Sequence, residues 1–283
     1  MLFRLVLRVP PEAADVAGAL LVEEGAGGAV QEELPHEARV ACFGEDAAAL
    51  ERLGEAVKNR LREGDVRVTY RVARAPRAFD GWATGWTKRL VPVRVSDTLW
   101  LVPTGMAAPA EAGSNVVWLE PALAFGFGEH PTTRLAAAEV ELRCRRGART
   151  VLDFGSGSGV LALVALHAGA ARAVGVDIDE AAVEAARKNA VLNGHDKKSR
   201  FRLGGLARLR STFDVVVANV DRATLIAQAA SLAARVSPGG VLVLTGFLAD
   251  DAREVARAYR ASGFRVRKRA RDGDWVRLTF DGA

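Results

Sequence analysis

Val151-Leu152-Asp153-Phe154-Gly155-Ser156-Gly157-Ser158-Gly159 carries an acid near the end of an apolar run, then glycine at three alternate positions. A second apolar run, Val160-Leu161-Ala162-Leu163, follows at once. The pattern predicts a buried strand, a tight turn and a helix, with glycines that let the main chain approach a ligand where a Cβ would block it. The next apolar run, Ala173-Val174-Gly175-Val176, closes on Asp177 and Asp179. An acid at the end of a second parallel strand stands where the ribose hydroxyls of a nucleoside can donate to it. The chain is therefore expected to hold a nucleoside cofactor at the first turn of a doubly wound sheet.

Outward from this turn, strands are predicted at Thr150–Asp153, Ala173–Asp177, Arg200–Leu203, Phe213–Asn219 and Gly240–Thr245, with a final hairpin of Phe264–Arg269 and Asp274–Phe280. Helices fall between them at Thr132–Arg143, Val160–Ala168, Glu180–Asn193, Arg222–Val236 and Asp250–Ser262. Alternating strands and helices imply a parallel sheet with right-handed crossovers. The turn Arg271-Asp272-Gly273-Asp274 makes the last of the seven strands antiparallel to its neighbour. That outline is similar to the Rossmann-like α/β sheet of S-adenosylmethionine-dependent methyltransferases.

The first 74 residues read differently. Strands at Leu2–Val9, Ala29–Leu34, Arg39–Phe43 and Val66–Val72 alternate with helices at Pro11–Glu24 and from Asp46 to Gly64, a β-α-β-β-α-β order of ferredoxin-like α+β type. Nothing there has catalytic spacing, so residues 1–74 are read as a recognition domain, 75–100 as a linker, and 101–283 as the catalytic domain. The linker carries Trp82, Trp86 and Trp100 beside Lys88, Arg89 and Pro92. Those tryptophans are expected to pin domains together, because they lack the basic and aromatic strand pattern of a nucleic-acid platform.

An apolar share of 49% supports a packed core. Cys42 and Cys144, the two cysteines, form no disulfide or metal framework in sequence. With no leader-like or membrane-spanning run, a reducing cytoplasm is the expected location. The net charge of +5 divides into ten Lys/Arg against thirteen Asp/Glu in residues 1–74 and 29 against 21 in the remainder. The basic side chains are interspersed with acids, so a solvated surface is expected rather than direct nucleic-acid binding.

A glycine-rich turn alone is shared by several cofactor classes. Here Gly157 is followed by Gly159, with Val160 where the dinucleotide fingerprint places its last glycine. More specific is Leu119-Glu120-Pro121-Ala122-Leu123-Ala124-Phe125-Gly126-Phe127-Gly128-Glu129-His130-Pro131-Thr132-Thr133. With the glycine turn, Gly175-Val176-Asp177-Ile178-Asp179 and Val216-Val217-Ala218-Asn219, it resembles the ribosomal protein L-eleven methyltransferase (PrmA) family over nearly the whole chain. The chain departs from the family pattern at Phe127-Gly128-Glu129, at Val220-Asp221-Arg222 and at Phe247, positions that bear on the substrate.

The resemblance implies S-adenosylmethionine as cofactor, no metal, and methylation of lysine or N-terminal amines of ribosomal protein L-eleven. Cofactor contacts are expected from Thr133, Asp153, Gly155, Gly157, Asp177 and Asn219, and catalytic ones from Asn219 and Thr132. Asp177 would accept from the ribose, while Asp179 is the better placed helix cap. Asp153 would face the methionine amino group. Thr132 and Thr133 could instead cap a helix after Pro131; His130 could be a base, but beside Pro131 in a loop it reads as structural. Asn219, at a strand's carboxyl edge, could accept from an amine nucleophile. Asp221 could receive a cationic lysine or pair with Arg222. The alternatives are a methyltransferase of this fold acting on another protein, RNA or a small molecule, or a non-catalytic cofactor-binding homologue.

Overall fold

Alternate residues of the first strand are sealed from water: Leu5, Leu7 and Val9 are at most 2% exposed. In this computed structural model, which describes residues 3–26, 29–33, 36–44, 46–74, 91–113, 115–120 and 130–281, the chain divides into units Met1–Ala83 and Thr84–Ala283. In the first unit, β1 (Phe3–Val9) lies between β3 (Ala38–Gly44) and β4 (Thr69–Arg74), with β2 (Val30–Glu33) outside β3. Every pairing is antiparallel. The inward side chains pack on Ala17, Leu20 and Leu21 of α1 (Ala14–Glu23) and on Leu50, Val57 and Leu61 of α2 (Ala47–Glu63). This is the ferredoxin-like order expected.

Asp46 caps α2 as expected, its Oδ1 accepting from Ala48 N at 2.8 Å. The helix also stops at Gly64 as expected. Gly64 has φ −89°, and the left-handed residue is Asp65 at φ 60°. Asp65 N donates to Arg62 O and Val66 N to Leu61 O, the paired bonds of a Schellman cap. Val66 is consumed by that cap, so β4 starts at Thr69 rather than at Val66.

In the second unit, seven strands are ordered β10-β9-β8-β11-β12-β14-β13. They are β8 (Thr150–Phe154), β9 (Arg172–Asp177), β10 (Ser199–Leu203), β11 (Phe213–Asn219), β12 (Val236–Leu248), β13 (Arg265–Asp272) and β14 (Trp275–Asp281). Neighbours from β10 to β12 pair in parallel, and β14 runs antiparallel to both β12 and β13, as the terminal hairpin requires.

Both faces are covered, which explains the continuous apolar strands. Val151, Val215, Val217 and Val243 face a core shared with α3 (Pro131–Arg145), α4 (Val160–His167) and α5 (Glu180–Leu192). Leu152, Val216, Ala218 and Leu244 face the opposite core. That core includes α6 (Arg222–Ala227), α7 (Ala229–Ala233) and α8 (Ala252–Arg260). Each fully buried aliphatic side chain of this kind contributes about 1.5–3 kcal/mol. The single helix expected over Arg222–Val236 is two, broken at Gln228.

A third, small sheet was not anticipated. β5 (Val93–Arg94) pairs antiparallel with β6 (Trp100–Pro103), which pairs in parallel with β7 (Val116–Leu119). Residues 93, 94 and 100 thus form strands inside the stretch read as linker. Trp100 and Trp118 pack on Val102, Ala112 and Val116. Trp82, Trp86, Lys88 and Arg89 lie outside the described residues. Among the described residues, no helix is long and apolar enough to cross a membrane.

Candidate functional site

The glycine turn hooks β8 to β9: Gly155 N and Ser156 N both donate to Val176 O, at 2.9 and 3.1 Å. Gly155, Gly157 and Gly159 have φ of 68°, 50° and 79°, a region L side chains rarely adopt. A Cβ on Gly155 would lie 2.3 Å from Val220 Cγ1, and one on Gly159 2.9 Å from Ala186 Cβ. At these two positions the space that absent side chains leave is claimed by the protein's own Val220 and Ala186, and not by a ligand's approach alone. Gly159 is the N-cap of α4 and has no side chain to satisfy the helix. Asp153 takes that role, with Oδ2 accepting from Ala162 N at 3.1 Å.

Asp153 is 1% exposed. Burial pushes its carboxyl up to about 8, with the Ala162 N–H pulling down and the nearby Asp177 charge adding to the rise. Asp177 is less enclosed. Its Oδ2 accepts from Gly157 N at 2.8 Å and its Oδ1 from Asp179 N at 3.0 Å. Each oxygen has used one lone pair and keeps another. The carboxylate is thus held in place by the turn, with acceptor capacity for two more donors. Asp179 caps α5 as expected, accepting from Ala181 N at 2.9 Å.

Beside Asp177 stand two exposed apolar side chains that the sequence motifs do not single out. Ile178 is 86% exposed and Leu203, opposite Asp177 in the sheet register, is 56% exposed. The signal was available: a residue between a strand-end acid and a helix cap has no core face to occupy.

Asn219 ends β11, and its Nδ2 donates to Thr133 Oγ1 at 3.4 Å, a long contact. Its Oδ1 has no hydrogen-bond partner among the described residues. Val220, the next residue, lies between two glycines: a Cβ on Gly246 would fall 2.3 Å from Val220 O. This clamp fixes the chain immediately after Asn219.

Thr132 and Thr133 begin α3 and are 1% and 0% exposed. The capping role read for one of the threonines falls to His130, whose Nδ1 accepts from Thr132 N at 3.4 Å and lies 2.7 Å from Thr132 Oγ1. A backbone N–H can only donate, so Nδ1 accepts and the Thr132 hydroxyl donates to it. The His130 ring packs edge-on to Trp275 at 4.6 Å.

Asp221 does not pair with Arg222. Its Oδ1 caps α6 by accepting from Thr224 N at 2.9 Å, and Arg222 bonds Asp251 and Glu254 instead. Phe247 is 2% exposed and belongs to the core. Phe127, Gly128 and Glu129 lie outside the described residues. The structure therefore gathers Thr133, Asn219 and Val220 with the glycine turn, and Asp153 and Asp177 at the ends of adjacent strands.

The family described as ribosomal protein L11 methyltransferase (PrmA) matches residues 21–282. Similar relatives bear the name ribosomal protein L11 methyltransferase. That of Azotobacter vinelandii is 44% identical over 198 residues, 70% of this chain and 66% of its own length. That of Geobacter metallireducens is 39% identical over 201 residues, 71% of this chain and 66% of its own. The matched stretch thus spans just under two thirds of these relatives. A solved ribosomal protein L11 methylase from Lactobacillus delbrueckii subsp. bulgaricus superimposes with a TM-score of 0.62 at 28% identity, covering 67% of this chain and 97% of that one.

Proposed function

Since the chain belongs to the ribosomal protein L11 methyltransferase family, we propose that it transfers methyl groups from S-adenosylmethionine to lysine or N-terminal amines of ribosomal protein L11. The observation that carries the cofactor reading is Asp177: its two oxygens are oriented by Gly157 N and Asp179 N, and each keeps a lone pair for one ribose hydroxyl. Bound S-adenosylmethionine would supply a methyl group on a positively charged sulfur.

Around it, the residues have separable tasks. The exposed faces of Ile178 and Leu203 beside Asp177 offer an apolar seat for the adenine. The backbone at Gly155 and Gly157 runs along the methionine portion, and Asp153 faces its amino group. A cation there favours the ionised carboxylate that burial otherwise opposes. Thr133 would contact the cofactor, and Thr132 and Asn219 would border the transfer pocket. The Asn219 Oδ1 can accept from an incoming amine without giving it a counter-charge. That matters because an ammonium, with a pKa of about 10.4 for lysine, has no lone pair to attack with. A dry pocket favours its neutral form and aligns it with the methyl.

Residues 1–74 are assigned to recognition of the protein substrate, and the cytoplasm is its proposed location. The roles of Asp221 as a helix cap and of Phe247 as core support the family substrate, because these departures do not themselves rebuild a pocket wall.

Incubation with methyl-labelled cofactor and unmethylated ribosomal protein L11 should label that protein. Cofactor binding without labelling of it would reject the substrate. Asp177→Ala should raise the cofactor Kd about a hundredfold by calorimetry, since it removes acceptors for two charge-assisted hydrogen bonds. An unchanged Kd would reject the site.

A further inference from the structure

Two asparagines at the end of α5 treat β7 as a strand treats its neighbour. Asn193 Oδ1 accepts from Trp118 N at 2.8 Å, and its Nδ2 donates to Trp118 O at 2.7 Å. Asn189, one turn earlier, accepts from Glu120 N through Oδ1 at 2.8 Å. Only Asn189 also reaches the other way: its Nδ2 donates to Ser158 O, within the glycine turn, at 2.9 Å. Its side chain is fully buried at 0% exposure, with both polar ends used.

The two segments it joins are 31 and 69 residues away in sequence. One is the turn proposed to carry the cofactor. The other, Glu120, is the last described residue before His130, which caps the helix that carries Thr132 and Thr133. A carboxamide suits this position because one end must donate to a carbonyl while the other accepts from an N–H. A carboxylate can do only the second, and an aliphatic side chain neither.

We propose that Asn189 is a positioning residue of the cofactor pocket: it locks the glycine turn to the root of the chain leading into α3, so that both halves of the site keep one spacing. This rests on the cofactor reading above. Asn193 holds the same strand without touching the turn, and so separates simple strand clamping from positioning.

The test measures binding of S-adenosylhomocysteine by calorimetry, with melting temperature alongside, in the full chain. Asn193→Ala should lower the melting temperature but leave Kd within about twofold. Asn189→Asp keeps the bond from Glu120 N and sets an acceptor against Ser158 O. At about pH 8 its Kd should rise about tenfold or more. Burial raises the pKa of the introduced carboxyl, which when protonated can donate to Ser158 O again. The ratio of its Kd to that of the wild type at the same pH should therefore fall toward one as the pH falls to about 6, a change that the same ratio for Asn189→Ala must lack, since Asp153 titrates in all three chains.

If Asn189→Asp is unfolded at the higher pH, the comparison moves to about pH 6. There it should bind about fivefold more tightly than Asn189→Ala. Equal Kd changes in the Asn189 and Asn193 variants, or a Kd ratio of Asn189→Asp to wild type that does not change with pH, would overturn the inference while leaving the cofactor reading intact. A wild-type chain that binds no S-adenosylhomocysteine overturns both.

Discussion

Asp153 couples the site to protonation. Its carboxyl stays protonated up to about pH 8 in the fold, whereas an unfolded aspartate ionises near pH 3.9. Between those values the native state binds a proton that the unfolded state has released. The sign follows: this contribution to stability is full below about pH 4 and is lost as pH rises toward 8. Asp153→Asn keeps an acceptor for Ala162 N but cannot ionise. Urea unfolding across that window should give the variant a flatter stability profile than wild type, and identical slopes would refute the assignment. The glycines that flank Val220 allow a sharper comparison. An alanine at position 155 collides with the Val220 side chain, but one at 246 collides with its backbone. Val220→Ala should therefore recover part of the stability lost in Gly155→Ala and none of that lost in Gly246→Ala, as read by thermal melts. The remainder in the first case is the cost of φ 68°, about 1–2 kcal/mol.

Helix α3 delivers Thr132 and Thr133, and its lower half is anchored by a buried charge cluster. Glu139 is 3% exposed; its Oε1 accepts from Arg143 Nε at 2.7 Å and its Oε2 lies 3.0 Å from Arg277 Nη2 of β14. Arg277 Nη1 also donates to Leu135 O at 3.1 Å. Burial pulls the Arg277 guanidinium below its usual range, and Glu139 works against that fall. Arg277→Met would leave Glu139 with half its neutralisation in a dry core. It should cost about 3 kcal/mol or more in urea unfolding, and Glu139→Gln in the same chain should restore part of it. A loss under about 1 kcal/mol would mean that the pair is solvated. Helix α3 was legible in sequence from Pro131 and its apolar spacing. Its charged partners were not, because Glu139 and Arg277 are 138 residues apart and each alone reads as surface.

At the scale of the whole molecule, the two units divide the proposed labour. All the residues proposed to touch the cofactor lie within Thr84–Ala283. A fragment of residues 84–283 should bind S-adenosylhomocysteine within about threefold of the full chain, yet methylate ribosomal protein L11 about a hundredfold less efficiently. Binding energy from remote parts of a substrate is what sustains the rate. Full activity in the fragment would remove the recognition role from the first unit. What the sequence settled by itself was local and periodic: apolar runs marked the strands of the seven-stranded sheet, Asp46 and Asp179 marked two helix starts, and Asp153, the glycines and Asp177 marked a strand-turn-helix unit followed by a strand-end acid. These features need only neighbours in the chain. Tertiary structure decided the rest. It showed that Gly155 makes room for Val220, that Asp221 caps a helix, that residues 93–103 join a small sheet, and that Asn189 ties the turn to Glu120. Each of these depends on groups brought together from distant parts of the chain. Their contacts exist only once the sheet has closed and its buried polar atoms must find partners.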